Sequence, residues 1–304
     1  MNIVTVITTI WPIFAIICAG FILARAGFPS ANFWPAAEQI NYFILFPALL
    51  VSSLANAPVD DPEVLRLGAA AVVTILIAAL GLSIFRRARP VPAARFGPLL
   101  QGTVRLNTYL GLAIMATLTG TQGMERAGVY LAIAVPLVNV LAIAALTDAS
   151  ALRQPWTMLR AILANPLILA CLAGFFLALT GIGLPFGTGR FVGLLGQGSL
   201  PLGLLCVGAA LQPAALRGDM KALAATSVLR LTIMPVLAVA VARIFGLDAV
   251  STLVLVVFSA VPTAPTAYVL TRQLNGDATF MAGIVTLQTL LAVATIPLVL
   301  VLLG

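Results

Sequence analysis

The sequence predicts an all-α membrane protein of ten spans, arranged as two inverted five-helix repeats. Three observations predict it. First, 62% of the 304 residues are hydrophobic and only 8% are charged, whereas about a quarter of average globular sequence is charged. A soluble domain could not bury so much apolar surface. Second, the apolar residues form continuous runs of the ~20 residues that a helix needs to cross a ~30 Å hydrocarbon core. A transmembrane β-barrel would show ~10-residue alternating strands instead. Third, the chain aligns with itself at an offset of 154 residues.

The spans are expected at 4–24, 34–55, 64–84, 98–118, 127–147, 158–180, 191–212, 220–243, 250–270 and 280–302. Span 1 is too long for a signal peptide, and no basic n-region precedes it. Short connections carry the turn residues, as in Ala26-Gly27-Phe28-Pro29-Ser30 before span 2 and Asn275-Gly276-Asp277 before span 10. Asp60-Asp61-Pro62-Glu63 reads as the loop that starts span 3, and Asp277 as the cap of span 10. Connections after spans 1, 3, 5, 7 and 9 hold ten Lys and Arg (Arg153 and Arg160 among them), against four on the other side. Basic residues stay cytoplasmic, so both termini are expected outside.

The offset places Pro12 to Gly27 over Pro166 to Gly181, with seven of sixteen positions identical, and carries Pro47 onto Pro201 without a gap. The division falls at 1–152 and 153–304. Five spans is an odd number, so the second repeat must enter from the opposite face. Inverted repeats supply two related conformations, one open to each side, which suits alternating access.

Transport sites of such proteins lie near the midplane, at interrupted helices of the two halves. Span 9 is interrupted by Val261-Pro262-Thr263-Ala264-Pro265-Thr266, since each proline removes a donor and clashes with the carbonyl four residues back. The corresponding part of span 4 holds Arg105, Asn107, Thr108 and Tyr109 among apolar residues. Polar groups at such depth face a cavity or a partner. These nine residues, Arg105, Asn107, Thr108, Tyr109, Pro262, Thr263, Ala264, Pro265 and Thr266, are the candidate substrate-binding set. For Pro262 and Pro265 the alternative is a plain kink, and for Asn107 an interhelical hydrogen bond. Arg230, in the middle of span 8, pairs with backbone, with a carboxylate or with substrate. Glu38, in span 2, is either a proton carrier or the partner of an arginine. Pro47 and Pro201 are expected to kink their spans.

Absences narrow the chemistry. The chain has no histidine, so imidazole zinc sites and histidine relays are not expected. Its three cysteines fall inside spans and read as packing residues. No cofactor, metal or nucleic-acid partner is expected. An intramembrane enzyme would want a histidine base or an acidic metal cluster, so the reading is non-enzymatic, with a channel or sensor as a further alternative.

The ordered stretches Phe46-Pro47-Ala48-Leu49-Leu50, Arg105-Leu106-Asn107-Thr108-Tyr109-Leu110-Gly111, Asn165-Pro166, Gly196-Gln197 to Pro201 and Val261 to Tyr268 running into Arg272-Gln273 resemble the auxin efflux carrier family in its short bacterial form. The resemblance covers essentially the whole chain. It implies a fold similar to the bile acid:sodium symporters, in which spans 1, 2, 6 and 7 form a scaffold that supports a homodimer. Spans 3–5 and 8–10 then form a transport bundle in which broken spans 4 and 9 cross. It further implies a secondary transporter of the inner membrane that moves a small organic anion by an elevator-like step, bound beside Asn107 and Thr108 against Pro262 to Pro265. The chain departs from the plant carriers in having no long loop between spans 5 and 6 and no proline in span 4. A sodium-coupled symporter is the alternative carrier, disfavoured because spans 4 and 9 hold no carboxylate.

Overall fold

The computed structural model describes residues 3–55, 61–147 and 165–303. All regular structure among them is helical. The expected boundary at 152/153, the first turns of span 6 at 158–164, and Asp60, Arg153 and Arg160 lie outside the described residues.

Helix α1 (Ile3–Arg25) is followed by α2 (Phe33–Leu54) and α3 (Pro62–Ala88). Asp61 starts α3 by accepting the Glu63 amide at 2.9 Å, with Pro62 at its first position. Span 4 begins as α4 (Ala93–Val104), stops, and resumes as α5 (Thr108–Leu146). α5 is interrupted at Gly120, whose φ of 60° and ψ of −138° suit glycine. The arm at 108–119 completes span 4, and the arm at 121–146 is span 5. Then come α6 (Pro166–Thr180), α7 (Thr188–Ala209) and α8 (Met220–Phe245). Span 9 is likewise split, into α9 (Ala249–Ala260) and α10 (Thr266–Gln273), and α11 (Ala278–Leu303) ends the chain. Asp277 caps α11 through the Phe280 amide at 2.9 Å, as expected.

Among the described residues, seven helical segments are long and apolar enough to cross a membrane, and one of them, Ala93–Leu146, runs for 54 residues. At 1.5 Å per residue it would span ~80 Å if straight, far more than one ~30 Å crossing. The break at 105–107 and the turn at Gly120 divide it. Pro166–Thr180 and Ala249–Ala260 are shorter apolar helices. The protein is thus an integral membrane protein with several apolar helices.

Pro47 does not simply kink span 2. A π turn at Asn41–Leu45 precedes it, with the Phe46 amide reaching back to the Asn41 carbonyl. α8 repeats the device at Leu229–Ile233 ahead of Pro235. The extra residue moves the carbonyl that each proline ring would otherwise strike. Pro201 lies within α7 and does not interrupt it.

Packing sorts the helices into two groups. α1 lies on α7, and α2 on α6 and α7. Backbones nearly touch there, since a Cβ on Gly208 would stand 1.9 Å from the Ile17 carbonyl oxygen, and one on Gly20 2.1 Å from that of Leu205. Small residues permit such close helix contact, whose dispersion energy must replace a hydrophobic drive that lipid does not supply. In the second group α5 packs on α3, α4 and α9, while α8 packs on α3, α9 and α11. Contacts between the groups run through α5, on α1, α2, α6 and α7, and through α1 on α11.

Two ionic clusters tie helix starts of the second group together. At one end Arg126 pairs with Asp61 and, at 3.8 Å, with Asp248, while Glu63 accepts the Asp248 amide at 2.7 Å. At the opposite end Arg95 pairs with Asp277 at 2.7 Å and Asp219 at 2.8 Å. Its guanidinium also lies 3.6 Å from the centroid of the Phe280 ring.

Candidate functional site

The two interruptions meet. The Asn107 amide donates to the Pro262 carbonyl at 2.9 Å, and the Thr263 hydroxyl donates to the Gln101 carbonyl at 3.0 Å. Each break exposes backbone groups that lipid cannot satisfy, and their partners come from elsewhere in the bundle. Arg230 answers the carbonyl ends. Its Nε donates to Val261 at 2.7 Å, its Nη1 to Thr103 at 3.1 Å and its Nη2 to Phe258 at 2.6 Å. One buried guanidinium therefore caps the C-terminal ends of both α4 and α9, where helix dipoles leave partial negative charge. Of the readings open for Arg230, backbone is the one found, and no carboxylate pairs with it among the described residues.

Gln288 of α11 supplies the second set of partners. Its Oε1 accepts the Thr263 amide at 2.9 Å, and its Nε2 donates to the Gly102 carbonyl at 2.8 Å. The side-chain amide thus bridges the two breaks. Gln101 adds a donor bond to the Thr271 hydroxyl at 2.9 Å. Sequence reasoning missed both glutamines. The available signal was polarity inside an apolar run, the same signal that singled out Asn107.

The other two ends behave differently. α5 starts at Asn107, whose Oδ1 accepts the Leu110 amide at 3.1 Å, and α10 starts at Thr266. These N-terminal, partially positive ends border a cavity between the two helix groups. It measures ~550 Å³ and is lined by Glu38, Tyr42, Arg105, Asn139, Asn165, Thr266 and Gln273 among others. A narrow extension reaches Thr108, Tyr109, Ala264 and Pro265. Arg105 is half-buried in the wall, its Nη1 3.4 Å from Gln101 Oε1 and its Nη2 3.3 Å from the Thr266 hydroxyl. Both partners are neutral. No carboxylate stands within ion-pair distance of Arg105 among the described residues.

The nine expected residues therefore fall into two classes. Arg105, Thr108, Tyr109, Ala264, Pro265 and Thr266 line the cavity or its extension. Asn107, Pro262 and Thr263 stand behind it, buried and engaged in holding the breaks together. Glu38 lines the cavity and pairs with no arginine among the described residues. Tyr42 and Asn139 were not expected. Asn165 is drawn in because its Oδ1 caps α6 through the Leu167 amide at 2.9 Å. No group of three or more His, Cys, Asp or Glu suited to a metal occurs among the described residues.

Residues 151–300 match a family model described as "Membrane transport protein". The chain is also 23% identical over 293 residues to an "Uncharacterized transporter" of the archaeon Methanothermobacter thermautotrophicus strain Delta H, covering 95% of this chain and 96% of that one.

Proposed function

Since the chain belongs to the membrane transport protein family of the auxin efflux carriers, we propose that it is a secondary transporter of a small organic anion, a carboxylate. One observation carries the reading. The four helix ends at the breaks are divided by sign, with Arg230 neutralising the two carbonyl ends. The two amide ends border the cavity together with Arg105. Helix N-termini and a guanidinium form a natural seat for an anion. Tyr42, Asn139, Asn165 and Thr266 offer neutral hydrogen-bonding groups around it.

Alternating access would arise from movement of the bundle (α3–α5 and α8–α11) against the scaffold (α1, α2, α6 and α7). The packing supports this division, because the cavity lies between the groups and each group is internally well packed. The ionic clusters support the inverted repeat. One joins the starts of spans 3, 5 and 9, the other the starts of spans 8, 10 and 4, which are the same spans with the halves exchanged. On the positive-inside assignment of the termini, the exposed Gln39 and Gln273 in the lining favour a cavity mouth on the cytoplasmic side. A homodimer through the scaffold rests on the resemblance.

The test is uptake of labelled carboxylates into proteoliposomes. A charge-assisted hydrogen bond is worth ~1.5–3 kcal/mol, so Arg105→Ala should raise KM roughly ten- to hundredfold while Arg105→Lys restores part of it. Uptake by Arg105→Ala at an unchanged KM would remove the proposed seat.

A further inference from the structure

Glu38 occupies a position that anion binding alone does not explain. It projects from α2, on the scaffold, and lines the ~550 Å³ cavity, its deep extension and a neighbouring cavity of ~360 Å³. It thus borders three spaces between scaffold and bundle. No hydrogen bond or ion pair engages its carboxylate among the described residues. The titratable groups that face these spaces with it are Tyr42 of α2, Arg105, Tyr109 of α5, Cys206 of α7 and Tyr268 of α10. α6 contributes no charged or titratable side chain to the lining of the first two spaces, nor does α11 to that of the third. Among the described residues, the lining of these spaces therefore has one fixed positive charge, Arg105, and one carboxylate, Glu38.

We infer that Glu38 is a specificity and coupling residue that binds one proton for each anion the cavity accepts. The inference rests on the anion-carrier reading. Without substrate, ionised Glu38 balances Arg105 across the cavity, and the described lining is neutral. An entering carboxylate competes with Glu38 for the same cation, and a second negative charge in a partly dehydrated site within the membrane is costly. Uptake of a proton from the water in the cavity converts Glu38 to its neutral acid and restores balance. The proton returns to water when the anion leaves. Charge is conserved at each step: Arg105 and ionised Glu38 sum to zero, and so do Arg105, protonated Glu38 and the anion.

The sign follows from linkage. The anion binds the protonated carrier better, so affinity rises as pH falls, and above the Glu38 pKa the Kd changes by about tenfold per pH unit for one linked proton. The experiment is calorimetric and thermal-shift titration of the detergent-purified full chain with the monoanions pyruvate and benzoate, between about pH 5 and about pH 8. These probes stay ionised through that range. Wild type should show the slope, Glu38→Asp should retain it at a displaced midpoint, and Glu38→Gln should bind with pH-independent affinity near the low-pH value of wild type. Wild-type binding that does not vary with pH, or a slope that survives in Glu38→Gln, overturns the proton link and leaves the anion site standing. If none of the probes binds wild type at any pH, the anion reading itself fails and takes this inference with it.

Discussion

Asn107 and Pro262 are joined by a backbone hydrogen bond of 2.9 Å between two helices that both lose their regular structure at that point. Neither residue could satisfy its own freed group locally. The amide of Asn107 has no carbonyl behind it once α4 has ended, and the Pro262 carbonyl has lost its helical acceptor role. Each break is the other's partner, so the interruption of span 4 needs no proline of its own.

Arg230 should matter for folding more than for substrate. Arg230→Ala would leave the Val261, Thr103 and Phe258 carbonyls without their donor, at ~1–3 kcal/mol for each unpartnered buried group. We expect a fall of many degrees in Tm, or failure to purify as a monodisperse species. Arg230→Lys should recover only part, because an ammonium cannot present the same planar fork. Arg105→Ala should leave Tm nearly unchanged, and the contrast is measured by fluorescence-detected melting in one detergent.

Gln288 provides a second separation. Gln288→Leu removes the acceptor of the Thr263 amide and the donor to Gly102, and should destabilise by ~1–3 kcal/mol. Gln288→Glu keeps the acceptor and can donate to the Gly102 carbonyl only as the neutral acid, so its stability should fall as pH rises and ionises it. Melting curves of the two variants beside wild type check this. A Gln288→Leu protein as stable as wild type would contradict the bridging role of this amide.

The contact of α1 with α7 depends on bare backbone. At Gly208 a Cβ would meet the Ile17 carbonyl at 1.9 Å, and a main-chain atom cannot swing aside as a side chain does. Gly208→Ala should therefore force the helices apart, with a cost of ~1–3 kcal/mol typical of overpacking. Gly193, which has open space around it, should accept alanine without loss. Crosslinking between introduced cysteines on α1 and α7, compared in both backgrounds, reports the separation.

Acid should loosen one end of the bundle first. The amide of Glu63, followed by the Arg126 guanidinium, holds Asp61 below its ordinary value of 3.8. A carboxylate depressed in the folded state contributes stability that is fully present above its unfolded pKa and is lost as pH falls through the folded one. Asp61→Asn should thus lower Tm at neutral pH, and the gap to wild type should close as pH drops below about 3.8. A gap independent of pH would show that the carboxylate charge contributes nothing.

Much of the fold was legible because the bilayer enforces simple rules. Runs of ~20 apolar residues marked the helices, and Asp277 announced the start of α11. The interruption of span 9 was written in Pro262 and Pro265. Span 4 showed only that something polar lay at depth in Arg105 and Asn107. Gln288 and Gln101 were passed over, since a single amide in an apolar run has no periodicity and its partners lie far away in sequence. The π turns at Asn41–Leu45 and Leu229–Ile233 were likewise invisible, because a proline marks where strain arises and not how the chain relieves it.

By itself the sequence determined an all-helical membrane chain, where most helices begin and end, and that spans 4 and 9 carry polar interruptions. Those properties depend on local composition and on the solvent around the chain. Only the tertiary structure decided which polar groups hold the breaks and which face a cavity. Arg105 and Arg230 are chemically identical intramembrane arginines, yet one is engaged by three carbonyls and the other borders open space. The difference arises because a buried donor is satisfied by whatever acceptors packing brings to it, and those acceptors come from residues as far apart in the chain as Thr103 and Val261.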